Sequence, residues 1–172
     1  DNKMLDMAIQ AYRTAVELKP DYSKPFYNIG IVYSLKGQLE TAVQTYKMVL
    51  LMDPDYAAVY LSLGDVYFKM GLIDKAIEHF QIAIRLKPDL TEAYNNLGII
   101  YRETGMIDKA IGDFQTALKI NPNHADVHFN LGMAYAEKGM MGEAARHYQE
   151  VIRLNPNDEA ARDNLNRILQ GK

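Results

Sequence analysis

Apolar residues recur along this chain every three or four positions, the spacing that lines one face of an α-helix. Within residues 57–90, Tyr60 and Leu63 lie on one such face, and Ala76 and Phe80 lie on another further along. Strict alternation of apolar and polar residues, which would predict strands, does not describe these segments. The sequence therefore predicts pairs of amphipathic helices.

The helical pattern repeats with a period of 34 residues. Five columns of identical residues keep this step. They are Pro20, Pro54, Pro88, Pro122 and Pro156; Gly30, Gly64, Gly98 and Gly132; Gly37, Gly71, Gly105 and Gly139; Tyr33, Tyr67, Tyr101 and Tyr135; and Ala8, Ala42, Ala76, Ala110 and Ala144. Chance does not keep five columns in register, so each period is predicted to form one unit of helix, turn, helix and turn.

Glycine and proline mark the ends of the predicted helices. The second glycine of each unit, such as Gly71, lies where the first helix must stop, and glycine adopts the left-handed backbone of that position without steric cost. The prolines, such as Pro88, end the second helix because proline cannot continue it and pushes the preceding residue out of helical space. Both positions are therefore expected to be turns.

Small residues inside the helices predict close packing. Gly64 and Ala76 lie in helix interiors, where glycine costs about 1 kcal/mol relative to alanine. Their regular placement therefore indicates a close approach of two helices, with Tyr67 and Phe80 filling the remaining space. A bulky residue at Gly64 is expected to overpack the pair by about 1–3 kcal/mol.

These columns resemble the tetratricopeptide repeat family, whose pattern combines an aromatic residue, Leu-Gly, Tyr, Ala, a second aromatic residue, Ala and Pro. Four full units are expected at residues 23–56, 57–90, 91–124 and 125–158. The third unit carries the whole pattern in Tyr94, Leu97, Gly98, Tyr101, Ala110, Phe114, Ala117 and Pro122. His128 departs from the pattern at the first aromatic position, and Val49 and Val151 replace the later alanine.

The resemblance implies an all-α fold: a right-handed superhelical solenoid of antiparallel helix pairs, about ten helices in one domain over residues 1–172. Residues 1–22 are expected to be a partial repeat that holds a second helix only. Its matching residues are Ala8, Tyr12, Ala15 and Pro20. The first helix of that repeat would precede the sequence, which is compatible with a fragment of a longer protein. Residues 159–172 are expected to form a polar C-terminal capping helix.

Composition and charge narrow the function classes. Hydrophobic residues make up 48% and charged residues 24% of the chain, as in ordered soluble proteins. A net charge of -3 gives no general attraction to nucleic acid or anionic lipid, so neither is an expected partner. The absence of cysteine excludes disulfides and thiolate nucleophiles. No apolar run approaches the roughly 20 residues that cross a bilayer, so we expect no membrane insertion and favour the cytoplasm slightly over the periplasm.

The first helix of each unit carries a second stripe of residues that the pairing of helices does not use. This stripe is less charged than a fully solvated helix face. In the resembled family this stripe lines a concave groove that binds peptides or partner helices. The predicted groove residues are Tyr27, Asn28, Ile31, Leu61, Ser62, Asp65, Phe68, Asn95, Asn96, Ile99, Arg102, Phe129, Asn130, Met133 and Asn164. Exposed aromatic and apolar clusters mark interaction surfaces. The alternative is that some of these residues belong to the packing between repeats.

Asparagine recurs on this stripe at multiples of 34 residues, at Asn28, Asn96, Asn130 and Asn164, with Ser62 filling the gap. An asparagine side chain both donates and accepts hydrogen bonds, so a row of them can hold an extended peptide backbone without reading its side chains. The row resembles the asparagine ladder of the family's glycosyltransferase-associated solenoids. The alternative is that asparagine is simply common at this position of the family.

The expected guest is a short linear segment. Five first helices about 9 Å apart span about 36 Å, enough for about 11 extended residues. Chaperone-binding members of the family clamp a terminal carboxylate with Lys, Asn and Arg at particular groove positions. Here Tyr27 and Ile31 occupy the first two positions, and Asn95 and Asn96 offer no cation, so that mode is not expected.

Metal, cofactor and catalytic chemistry are not predicted. His124 and His128 are four residues apart, a spacing that can bind zinc. No Glu-rich partner motif accompanies them, however, and His128 fits a packing column. No Gly-rich phosphate loop, Ser-His-Asp order or paired-carboxylate cleft is recognisable.

The sequence therefore predicts a scaffold or adaptor, not an enzyme, whose groove binds an extended or helical peptide segment of a protein partner. Two alternatives stay open. The chain can be a self-assembly module that forms homo-oligomers through the groove or through the edge of the partial repeat. It can also be the substrate-recruiting region of a larger enzyme, such as a glycosyltransferase.

Overall fold

The computed structural model describes Asp6, Met7, Gln10 and residues 23–171. The partial repeat predicted over residues 1–22 therefore lies almost wholly outside the described residues. From Ser23 onward the described chain is helical apart from short turns.

Nine helices lie within residues 23–171. They are α1 (Ser23–Leu35), α2 (Leu39–Met52), α3 (Ala57–Lys69), α4 (Ile73–Leu86), α5 (Thr91–Glu103), α6 (Ile107–Ile120), α7 (Ala125–Glu137), α8 (Met141–Leu154) and α9 (Glu159–Leu169). The prediction of an all-α fold built from helix pairs is confirmed. Within this range no helix has both the length and the apolar composition that a bilayer crossing requires.

The helices fall into two compact units, residues 1–88 and residues 89–172. In the first unit, α1 packs on α2, α3 packs on α4, and α2 also contacts α3. In the second unit, α5 packs on α6, α7 packs on α8, and α6 contacts α7. Helix α9 completes the second unit by packing against α8. The grouping of all repeats into one domain stays a prediction.

The turn inside each helix pair depends on glycine. Gly105 follows α5 with a φ of 78°, a left-handed backbone that other residues rarely adopt. Its N–H donates to the Arg102 carbonyl at 3.0 Å, and the Met106 N–H donates to the Tyr101 carbonyl at 2.7 Å. These two bonds satisfy carbonyl groups that the end of the helix leaves unpaired. The prediction that the second glycine column ends the first helices is confirmed, since Gly37, Gly71 and Gly139 share this backbone.

The first glycine column brings each helix pair into close contact. A Cβ atom on Gly64 would lie 2.5 Å from Cε1 of Phe80, and a Cβ atom on Gly98 would lie 2.5 Å from Cε1 of Phe114. Both aromatic rings are fully buried. The absence of a side chain thus lets the ring of the second helix lie directly on the backbone of the first, as the sequence predicted.

Candidate peptide-binding surface

The fifteen predicted groove residues all lie on α1, α3, α5, α7 and α9. Each of them is partly exposed, so none is sealed inside the helix packing and none projects fully into solvent. Seven lie in the first unit and eight in the second. Their union into one groove stays a prediction.

In the first unit, Tyr27 connects α1 to the neighbouring first helix. Its hydroxyl lies 3.3 Å from Oγ of Ser62 on α3, within hydrogen-bonding distance. Its ring lies 6.0 Å from the ring of Tyr46 and 5.2 Å from that of Tyr56. Tyr27 is therefore both a packing residue and part of the exposed stripe, and its hydroxyl holds Ser62 in place.

In the second unit, three asparagine side chains form a short chain of hydrogen bonds. The amide nitrogen of Asn130 on α7 donates to Oδ1 of Asn95 on α5 at 2.9 Å. The amide nitrogen of Asn95 in turn donates to Oδ1 of Asn96 at 3.3 Å. Asn130 thus bonds to Asn95, 35 residues earlier, and not to Asn96, which is 34 residues earlier in its own column.

The same offset appears in three contacts between neighbouring first helices. Tyr27 and Ser62, Asn95 and Asn130, and Arg102 and Glu137 are each 35 residues apart. Consecutive residues of a helix point about 100° apart, since each turn holds 3.6 residues. The column that holds the first residue of each pair therefore faces the following repeat. The adjacent column, which holds the second residue, faces the preceding repeat. In these three contacts, the polar side chains pair between neighbouring columns and not within one column.

The apolar members of the second unit have two roles. Ile99 packs against the buried cluster that includes Phe114 and Leu131. Phe129 and Met133 pack against the buried cluster that includes Tyr148. Each of these residues is partly packed between helices and partly exposed, so the packing alternative applies in part, and their role in a groove stays a prediction.

Arg102 carries the positive charge of the predicted set. Its Nη1 donates to Oε1 of Glu137 on α7 at 2.7 Å, and only 15% of its side chain is exposed. Its Nε atom is buried without a hydrogen-bond partner in the described part of the chain. The guanidinium therefore keeps one buried donor that no described residue satisfies.

A cavity of about 340 Å³ opens beside this stripe in the second unit. Its lining residues come from α7, α8, the turn before α9, and α9 itself. They are Ala125, Asp126, Phe129, Asn130, Val151, Asp158 and Ala160. Phe129 and Asn130 belong to the predicted groove set, whereas Asp126 and Asp158 do not. Asp126 precedes Phe129 by three residues on α7, and this helical spacing puts it on the same stripe of the sequence pattern.

Asn164 lines a second, smaller space at the other end of α9. This cavity of about 190 Å³ is bordered by Ala136, Met141, Tyr148, Asn164, Arg167 and Ile168. Asn164 therefore lies apart from the cavity that Asn130 lines, although both belong to the predicted asparagine row.

Sequence models of one family match most of the chain. A model described as TPR repeat matches residues 3–37, 35–71 and 99–139, and a model described as tetratricopeptide repeat matches residues 57–90 and 125–158. The chain belongs to the tetratricopeptide repeat family. The departure at His128 and the valines at positions 49 and 151 did not prevent the match.

Solved structures agree with this assignment. The crystal structure of MamA is 27% identical to this tetratricopeptide repeat protein, covers 91% of each chain and has a TM-score of 0.76. YrrB, described as a TPR protein with an unusual peptide-binding site, is 27% identical, covers 94% of this chain and 83% of its own, and has a TM-score of 0.72. A thermophilic TPR protein of Thermus thermophilus is 20% identical, covers 96% and 91%, and shows the shared fold with a TM-score of 0.78.

No curated protein sequence matches this tetratricopeptide repeat protein. The family and its structural relatives support a general role as a protein–protein interaction scaffold, with a protein or peptide as the partner.

The tetratricopeptide repeat protein also contains a histidine pair that its sequence did not predict. His128 is buried, as its packing column indicated. Its Nε2 lies 2.9 Å from the carbonyl oxygen of Pro122, and its Nδ1 lies 3.0 Å from Nδ1 of His147. A carbonyl oxygen only accepts, so Nε2 of His128 donates to Pro122, and in the contact between the two Nδ1 atoms one ring donates and the other accepts. The ring of His147 also stacks on Tyr135, with the centroids 5.6 Å apart.

We expect acid to destabilise the second unit through His147. Burial and then the His128 ring lower the pKa of His147 below its ordinary 6.5, while Glu143 and Glu150 act in the opposite direction. As the pH falls through 6.5, the unfolded chain binds this proton more readily than the folded chain, so stability decreases. His147→Gln keeps an N–H donor and removes the proton site. Its urea midpoint should therefore fall less between about pH 7 and pH 5.

Asp113 titrates in the same range with the opposite effect. Burial raises the pKa of Asp113 to about 6, so the folded chain takes up that proton first and gains stability as the pH falls. The informative quantity is the difference between the unmodified protein and His147→Gln at each pH, because the Asp113 contribution cancels. Identical pH slopes for the two proteins would contradict the lowered pKa of His147.

Proposed function

We propose that this chain is a scaffold or adaptor that binds an extended or helical peptide segment of a partner protein along its first helices. The observation that carries the proposal is the partial exposure of all fifteen stripe residues. A solvated face would be fully exposed, and a packing face would be sealed. A partly exposed stripe that mixes amide and apolar groups supports contact with a second chain.

The asparagine chemistry suits recognition of a peptide backbone. A side-chain amide has two N–H donors and an oxygen with two lone pairs. The bond from Asn130 to Asn95 uses one donor of Asn130, so further hydrogen-bonding capacity remains. This bond also fixes the orientation of both amides, which lowers the entropy lost when a guest binds. The peptide-binding site named for the structural relative YrrB is in line with this proposal.

Replacing both Asn96 and Asn130 with alanine is expected to weaken peptide binding by about tenfold or more, because each lost hydrogen bond contributes about 1 kcal/mol. The probe is a fluorescently labelled peptide selected from a random library of segments about 11 residues long on the unmodified protein. Affinity is measured by fluorescence anisotropy. Circular dichroism checks that the helix content is unchanged.

Asn166→Ala is the matched control, since Asn166 is an exposed asparagine on α9 outside the predicted row. Unchanged affinity in the Asn96→Ala, Asn130→Ala double variant would count against recognition by the asparagine row. An equal loss in the control would show that the effect does not come from that row. Self-assembly and substrate recruitment for a larger enzyme stay predictions from the sequence.

A further inference from the structure

We propose that the 340 Å³ cavity between α7, α8 and α9 is a subsite for a basic side chain, arginine or lysine, of the bound partner segment. This inference rests on the proposed peptide-binding function and adds the chemistry of one guest residue. The volume lies at the lower end of the range of about 300–1,000 Å³ found for ligand pockets. Such a space suits one long side chain rather than a folded element.

The two carboxylates of the cavity are hydrogen-bond acceptors. The Asp126 carboxylate makes no hydrogen bond or ion pair with any residue that the structure describes. Asp158 accepts the Ala161 N–H at 2.9 Å through one carboxylate oxygen, which leaves the other oxygen. Asn130 donates one N–H of its amide to Asn95, and its amide oxygen accepts. A guanidinium or ammonium group, which only donates, is complementary to this set.

The apolar wall suits the stem of the same side chain. Phe129 is held by an edge-on contact with Tyr148, with ring centroids 5.6 Å apart. Val151, Ala125 and Ala160 supply the remaining apolar surface. Lysine and arginine bury their methylene groups along such surfaces while the charged group stays at the polar end. An aromatic ring also attracts a cation above its face.

The charge balance favours a cation. The N-termini of α7 and α9 lie at this cavity, and each contributes about half a positive charge. Asp126 and Asp158 contribute two full negative charges, which leaves about one negative charge unbalanced. Arg153 of α8 is paired with Glu150 and Asn123, and Arg162 of α9 donates to the Pro156 carbonyl, so neither is hydrogen-bonded to Asp126 or Asp158. A basic side chain of the guest would supply the opposite charge.

The first test uses the whole chain and two small probes, N-acetyl-arginine amide and its neutral isostere N-acetyl-citrulline amide. NMR titration should show shifts at Phe129, Asn130 and Ala160 with the arginine probe, and affinity at least about tenfold weaker for citrulline. Asp126→Asn should weaken the arginine probe by about tenfold and leave the citrulline probe unchanged.

Glu92→Gln is the matched control, because Glu92 occupies the same repeat position on α5 and does not line the cavity. It should leave both affinities unchanged. Equal binding of the arginine and citrulline probes, or shifts confined to residues away from the cavity, would overturn the subsite. So would an equal effect of Glu92→Gln and Asp126→Asn.

A second test separates the subsite from the peptide-binding function. Peptides selected on the unmodified protein should share one arginine or lysine, and replacing it with citrulline or norleucine should remove the effect of Asp126→Asn. If selected peptides bind but carry no such basic residue, the subsite is wrong and the peptide-binding function stands. If the arginine probe enters the cavity but no peptide binds the first helices, the peptide-binding function fails and the cavity remains a site for a basic group.

Discussion

Phe80→Ala is expected to lower the free energy of unfolding by about 3–5 kcal/mol, the usual cost of removing a buried aromatic side chain. Phe80 is fully buried and lies on Gly64, where a Cβ atom would be 2.5 Å from its ring. Gly64 has no side chain that could move into the vacated space, so the cavity should persist. Urea unfolding followed by circular dichroism measures the loss.

Gln81→Ala provides the control for this substitution. Gln81 is the exposed neighbour of Phe80 on α4, so its truncation leaves no cavity and slightly favours the helix. We expect a change within about 0.5 kcal/mol for this variant. A loss below about 1 kcal/mol in Phe80→Ala would mean that the two helices close over the space, which would contradict a rigid contact between Phe80 and Gly64.

Gly98→Ala is expected to destabilise the protein by about 1–3 kcal/mol, although alanine is the better helix former. The added Cβ atom would lie 2.5 Å from Cε1 and 2.7 Å from Cδ1 of Phe114. Phe114 is fully buried, so its ring can yield only by displacing other buried side chains. The helix pair must then separate or repack.

Gly112→Ala should have the opposite effect. Gly112 lies inside α6, and no neighbouring atom would come within 4 Å of its Cβ atom. We expect a gain of about 0.5–1 kcal/mol from helix propensity alone. Adding Phe114→Leu to Gly98→Ala should recover part of the loss, because the smaller side chain gives the new methyl group room. Stabilisation by Gly98→Ala itself would contradict the close contact of the helix pair.

The glycines that end the first helices and the contact between Gly98 and Phe114 explain why the helix pairs could be predicted from the sequence. The glycine that ends a first helix needs a left-handed backbone, and this requirement depends only on the residue itself, as the φ of Gly105 illustrates. The Gly98 and Phe114 columns recur together, so their complementary sizes could be recognised without coordinates. These requirements are visible in the sequence because the same residue types recur at the same positions of every repeat.

The candidate surface could be predicted only in part. Phe129 and Asn130, both in the predicted groove set, are partly exposed and line the same cavity. The sequence did not identify Asp158 as a wall of the same cavity, because Asp158 lies in the turn before α9 and caps that helix. It also did not pair His128 with His147, since 19 residues separate two rings that meet across a helix pair.

The sequence by itself determined the helix pairs, their turns and the family, because a 34-residue period of glycine, proline and aromatic positions constrains backbone and packing locally. Only the tertiary structure decided which side chains bond to one another. The period predicts rows of residues 34 apart, whereas Asn95 and Asn130 meet at a separation of 35. Adjacent columns of a helix point to opposite neighbours, and the geometry between helices, which no single repeat encodes, selects the partner.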